Sequence, residues 1–198
     1  MASGAAAIRN GEFTNLSPEV VEGFLAAPAN MIAQVIDGEL VTMPRPRVIH
    51  AHAASRLGRR LGPASDPMGD DPGGWVILDE PELHLGPTPD IVVPDLAGWR
   101  RERMPEIPDA AAITLAPDWV CEVLSDATEA IDRGRKMRIW RRESVGHIWL
   151  ISPERRTLEA YRLHNGLYSL LDTWEGEAVA RAEPFEAIEL PLQALWKL

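Results

Sequence analysis

The chain has 198 residues, 45% of them hydrophobic and 25% charged, with 15 Gly and 17 Pro. That suits one ordinary domain with a sizeable core and excludes wholesale disorder and a collagen-like repeat. The formal net charge of -10 excludes a uniformly basic surface, and no apolar run approaches the roughly 20 residues that a membrane-spanning helix needs.

The start, MASGAAAIRNGEF, has no basic cluster followed by an apolar stretch, and the single cysteine, Cys121, permits no internal disulfide. The expectation is a cytoplasmic protein with no membrane partner. Ser17-Pro18-Glu19 is an N-cap, a first-turn proline and a first-turn acid, predicting a short helix to about Ala26. Gln34 to Met43 reads as a hairpin around Asp37-Gly38. A helix follows to about Leu61, with His50, Ala54, Leu57 and Leu61 on one face, and then a Gly/Pro/Asp loop from Ala64 to Gly74.

Short strands are expected at Trp75 to Leu78, Glu82 to Leu85 and Ile91 to Val93, and an exposed loop at Arg100 to Asp109. Trp119 to Leu124, WVCEVL, is the unbroken apolar run of a strand covered on both faces. Thr128 to Arg142 reads as a helix, and His147 to Ile151 as a second buried strand. Thr157 to Leu163 and Leu167 to Thr173, joined at Asn165-Gly166, form a meander that closes with a strand near Ile188. The predicted organisation is an N-terminal segment with a short helix (1–30) and one α/β domain with a mixed sheet (31–198). The apolar strand Leu167 to Leu171 offers an edge for a homodimer.

Charge is unevenly placed. Arg45 to Gly62 holds five arginines and no acid, and Arg133 to Arg142 holds six basic residues and no acid. These stretches either line one face toward a nucleic acid or are solvated helix faces. Of the 20 basic residues 18 are arginine, so Lys136, well inside the chain, stands out. An ammonium is a compact charge that responds to burial, whereas a guanidinium stays charged.

Glu122 lies inside WVCEVL, on one strand face with Val120 and Leu124. A carboxylate there is strongly disfavoured unless it is paired, protonated or bound to a metal; an arginine salt bridge and a metal site both satisfy it. Alternation puts Asp95 just past the strand at Ile91 to Val93, with Asp90 as a competitor at its other end. Two carboxylates from neighbouring strands suit a hard cation such as Mg²⁺, or Mn²⁺, which can polarise a phosphate and activate a water. Lys136, with Asp132 four residues before it, lies on the helix after the Glu122 strand. That helix can fold back over the strand's end. Cys121 has no base beside it and reads as structural, and there is no Walker loop, nucleophile elbow, paired C-x-x-C or G-x-G-x-x-G.

The run VVPDLAGW, WVCEVLSDAT, DRGRKMRIW and GHIWLIS, with VIDGELVTM and VIHAHAASRL upstream, resembles the Uma-type restriction endonuclease family of the PD-(D/E)xK nuclease superfamily. The resemblance covers about Gln34 to Leu198. It implies a restriction-endonuclease-like mixed β-sheet flanked by helices, with Asp95 as the motif's aspartate and Glu122 as its second acid. The superfamily's lysine should stand at Leu124, and the family pattern implies that it has migrated to Lys136. It also implies Glu39 and His50 as further members of the site. A core histidine is the other reading of His50. The expectation is a Mg²⁺-dependent endonuclease acting on DNA, with Asp95, Glu122 and the Val123 carbonyl as ligands. The rival is a catalytically weak nucleic-acid-binding or protein-interaction module, and a third reading is another metal-dependent phosphoesterase.

Overall fold

The computed structural model describes residues 15–65 and 74–197. The first 14 residues, most of the predicted Gly/Pro/Asp loop and Leu198 lie outside the described residues. Helix α1 (Pro18–Leu25) starts where Ser17 Oγ accepts the Val20 N–H. It lies so close on the hairpin behind it that a Cβ on Gly23 would stand 2.7 Å from Leu40.

Strands β1 (Met31–Ile36) and β2 (Glu39–Pro44) form the expected hairpin, each longer than the sequence suggests. Asp37 and Gly38 both take positive φ, 54° and 76°, as a two-residue turn between twisted strands requires. Helix α2 (Val48–Arg60) buries His50, Ala53 and Leu57, and α3 (Gly62–Ser65) is a single turn. Strands β3 (Trp75–Asp79), β4 (Leu83–Leu85) and β5 (Asp90–Val92) follow.

Strand β6 (Leu96–Arg100) has no counterpart among the expected elements. Its five residues, LAGWR, include no β-branched residue, and Trp99 alone favours a strand. Gly98 is needed there: a Cβ would stand 3.1 Å from Trp119 and 3.3 Å from Trp75. The loop expected from Arg100 therefore begins at the end of a strand.

Strand β7 (Trp119–Val123) and strand β8 (His147–Ser152) run parallel. The crossover between them is the predicted helix, divided into α4 (Glu129–Ile131), a π-helical turn (Asp132–Lys136) and α5 (Met137–Arg142). Strands β9 (Thr157–His164) and β10 (Leu167–Glu175) complete the meander. The last strand is not at Ile188, whose N–H closes a turn onto Phe185. The chain instead forms a small ribbon of β11 (Val179–Ala180) and β12 (Leu190–Pro191), then α6 (Gln193–Trp196).

The strands form a mixed sheet in the order β10-β9-β8-β7-β6-β3 and a second, four-stranded sheet in the order β2-β1-β5-β4. Alternation along β7 sends Trp119, Cys121 and Val123 into one core with α2 and α6, and Val120 into another with α5 and the smaller sheet. Glu122 shares the Val120 side. Trp119, Trp149 and Phe185 pack edge to face in the first core, with centroids 5.0 to 5.6 Å apart, so these tryptophans are packing residues. Among the described residues no helix is long and apolar enough to cross a membrane.

Candidate active site

Asp95 stands between β5 and β6. Leu96 faces Cys121 across the antiparallel β6–β7 pair, so one step further brings Asp95 opposite Glu122 near the carboxyl end of β7. Asp95 Oδ2 accepts the Val123 N–H at 2.6 Å, and its Oδ1 is 3.3 Å from His50 Nε2. His50 reaches it from the first turn of α2. Burial works against a charged His50 ring, but the Asp95 hydrogen bond and charge, with help from the Val123 backbone, outweigh it and raise the pKa.

Glu122 is only 2% exposed. The crossover helix brings Lys136 Nζ to 2.9 Å from Glu122 Oε2, 3.3 Å from Asp132 Oδ1 and 3.3 Å from the Val93 carbonyl. Lys136 is therefore the cation paired with Glu122 among the described residues, through Oε2. Burial opposes its charge, yet Glu122, Asp132 and Asp95 hold the ammonium protonated, above the ordinary lysine range. One ammonium does not balance three carboxylates. Burial, with repulsion from Asp132 and Asp95, pushes the Glu122 carboxyl well above its ordinary value despite Lys136. Glu122 Oε1 is buried without a hydrogen-bond partner.

These groups line a cavity of about 220 Å³ that also takes in Gln34, Arg45, Arg47 and the Ser125–Thr128 loop. It lies beyond the carboxyl end of a parallel strand, the usual place for a site in an α/β sheet. Among the described residues no group of three or more His, Cys, Asp and Glu is arranged to hold a metal ion. The donors that converge are two carboxylates, one with a free buried oxygen, beside the main chain at Val123. That all-oxygen set, short of a full protein cage, fits a hard cation that keeps several waters.

Three expected residues or groups are placed elsewhere. Glu39 is at the hairpin tip, 72% exposed in its side chain and 3.0 Å from Arg135; the structure does not bring it into the cavity. Asp90 is buried outside the cavity, where it accepts the Asp37 N–H at 2.6 Å and pairs with Arg142 at 2.8 Å. The basic run from Arg133 is largely turned to internal use. Arg133 bonds Glu129 and Glu159, Arg135 bonds Asp37, and Arg142 bonds Asp90 and Glu143. Arg59 and Arg60 lie in the last turn of α2, about 15 Å along the helix from His50 at 1.5 Å per residue. Arg45 and Arg47 stand at the cavity instead.

Sequence reasoning missed Gln34. It is fully buried, lines the cavity, and its Oε1 accepts the Val93 N–H at 2.9 Å. The only sequence signal is a polar residue in the apolar stretch MIAQVI.

Comparison with known proteins gives a family and a fold. Residues 21–193 match the model of the Uma2 family, described as "Putative restriction endonuclease". A search of curated proteins gives no match. A crystal structure from Anabaena variabilis, described as a "putative nuclease belonging to DUF820", is similar in fold at a TM-score of 0.70 and 21% identity. The match covers 89% of this chain and 96% of that one.

Proposed function

The chain belongs to the Uma2 restriction endonuclease family, and on that premise we propose that it is a divalent-metal-dependent endonuclease that hydrolyses phosphodiesters in DNA. The observation that carries this reading is the meeting of Asp95, Glu122 and Lys136 at one cavity, from three separate parts of the chain. Asp95, Glu122 and the Val123 carbonyl would hold Mg²⁺ or Mn²⁺. The ion, when bound, supplies Lewis-acid polarisation of the phosphoryl group and a more acidic water.

The chain's own residues have distinct parts. Asp95 is fixed at both oxygens, by the Val123 N–H and by His50, so its orientation is set before any ligand arrives. Lys136, kept cationic, is the donor that stabilises negative charge gathering on the phosphoryl oxygens or orients the attacking water. Asp132 holds that ammonium in place from the same helix. His50, whose Nδ1 is buried and unpartnered, is the group that can hold a proton beside Asp95. In the hydrolysis the water oxygen bonds phosphorus, a sugar oxygen leaves and the leaving oxygen takes up a proton. The single buried thiol of Cys121 fits a reducing cytoplasm.

One observation favours a second reading, a catalytically weak binding module. Lys136 already has two carboxylate partners and a carbonyl, which leaves it less free to serve a substrate. Incubation with plasmid and single-stranded DNA separates the two. Wild type is expected to cleave in Mg²⁺ or Mn²⁺ and not in EDTA, with Glu122→Ala and Lys136→Ala at least ~100-fold slower. Metal binding without cleavage of either DNA would favour the module.

A further inference from the structure

Gln34 is a fully buried polar side chain of the cavity to which neither the family pattern nor the metal-ligand reading assigns a part. Its orientation is settled by chemistry: the Val93 N–H needs an acceptor, so the atom 2.9 Å from it is the amide oxygen. The amide nitrogen is then the other atom, and it is buried without a partner. A buried donor left without a partner is costly, so its retention at a cavity wall points to a ligand acceptor. The same residue is held through its other backbone group, since the Val93 carbonyl accepts from Lys136 Nζ. Gln34 and Lys136 are thus registered to one residue, two positions before Asp95.

We propose that Gln34 is a substrate-binding residue whose carboxamide NH₂ donates to a non-bridging phosphate oxygen of the phosphodiester bound in this cavity. This rests on the nuclease reading above. The same cavity is lined by the carboxyl groups of Asp95, Glu122 and Asp132, which in their ionised form only accept hydrogen bonds and repel a phosphate. A neutral donor in their midst offers an anionic oxygen a hydrogen bond without competing for the cation. The Val93 bond fixes the amide plane, so the donor is preorganised and little rotamer freedom is lost on binding.

Gln34→Glu tests the donor while keeping an oxygen for the Val93 N–H. With Ca²⁺ as the cation, anisotropy of a labelled DNA duplex reads phosphodiester binding, and calorimetry with Mn²⁺ alone reads the metal. Gln34→Glu is expected to weaken duplex binding about 10- to 100-fold, because the donor is lost and a repelling carboxylate is gained, while Mn²⁺ binding is undiminished. Equal duplex affinity in Gln34→Glu and wild type overturns the proposal, as does a loss of Mn²⁺ affinity that matches the loss for DNA. A wild type that binds no duplex removes the nuclease reading itself, a result distinct from either.

A second measurement needs no folded variant. Gln34 and Gln193 are the chain's two glutamines, so glutamine labelled with ¹⁵N gives two side-chain NH₂ signals. Duplex added in Ca²⁺ should shift one of them and leave the other, on α6, in place. No shift in either signal, with duplex bound, overturns the proposal.

Discussion

Lys136 and Glu122 form an ion pair that is almost wholly withdrawn from water, with side chains 3% and 2% exposed. Removing one partner of such a pair leaves a buried charge, typically at a cost of about 3–5 kcal/mol. Here the cost falls on three carboxylates at once, so Lys136→Met is expected to lose about that much stability to urea in EDTA. A divalent ion can replace part of the missing charge, and millimolar Mg²⁺ should recover a measurable share of the loss. Glu122→Gln added to Lys136→Met should also recover part of it, because the two changes are coupled. Additive losses, unchanged by Mg²⁺, would show that the three carboxylates do not share one field. Glu122 and Lys136 were legible in the sequence for a physical reason: each is a charged group whose surroundings make it improbable by chance. Gln34 carries no charge and leaves no such mark. The implied Glu39 falls on the same face of the hairpin, since Gln34 pairs with Val41 and Ile36 with Glu39. It is two residues too far along, about 7 Å at the usual strand rise. The family pattern carries no measure of that distance.

The crossover helix shows the same division at the level of an element. Its mixed charge and length are plain in the sequence, but nothing there marks the π-helical turn at Asp132–Lys136. Such turns gather at functional sites, and this one buries Asp132 and Lys136 together while Arg133 and Arg135 reach outward to Glu159 and Asp37. Gly134 sits in it with open space where a Cβ would go and no positive φ. Gly134→Ala is therefore expected to stabilise the protein by about 0.5–1 kcal/mol, read as a higher urea midpoint with DNA cleavage unchanged. A lower midpoint would mean that the π turn needs glycine. The helix is tied to the turn between β8 and β9 through Glu129, whose carboxyl is held down to about 2 by Arg155 and then Arg133. A carboxylate with a lowered folded pKa contributes stability above its unfolded value near 4.5, and that contribution is lost as pH falls toward 2. Glu129→Gln should flatten the acid limb of a stability profile between about pH 4.5 and 2, and leave the neutral-to-alkaline side parallel to wild type. An acid limb of unchanged slope would show that the arginines hold Glu129 no more firmly than water does.

At the scale of the whole molecule, the alternation of strand and helix showed an α/β domain but not its division into two sheets. Strand β6, the link that lets Asp95 face Glu122, was hidden because LAGWR has no β-branched residue and a glycine at its centre. The charge distribution was also only half legible. A run of arginines in sequence says nothing about partners 26 residues or more away, and Glu159 takes up Arg133 across just such a gap. A molecule with a net charge of -10 then has little cationic surface to offer DNA near the cavity beyond Arg45 and Arg47. Arg45 lies 3.9 Å from Glu80 and Arg47 2.8 Å from Glu154, with side chains 58% and 73% exposed, and exposed pairs of this kind are weak and easily exchanged. Each phosphate neutralised by such a group releases counterions, at a slope of about -0.9 in log affinity per log salt. Two contacts predict a slope of about -2 for duplex binding in Ca²⁺, shallow beside proteins that make many phosphate contacts. Arg45→Ala with Arg47→Ala should bring it close to zero, whereas Arg59→Ala with Arg60→Ala should leave it unchanged, because those two lie at the other end of α2. A steep slope that persists without Arg45 and Arg47, and falls without Arg59 and Arg60, would mean that DNA crosses a different face and that the cavity is reached another way.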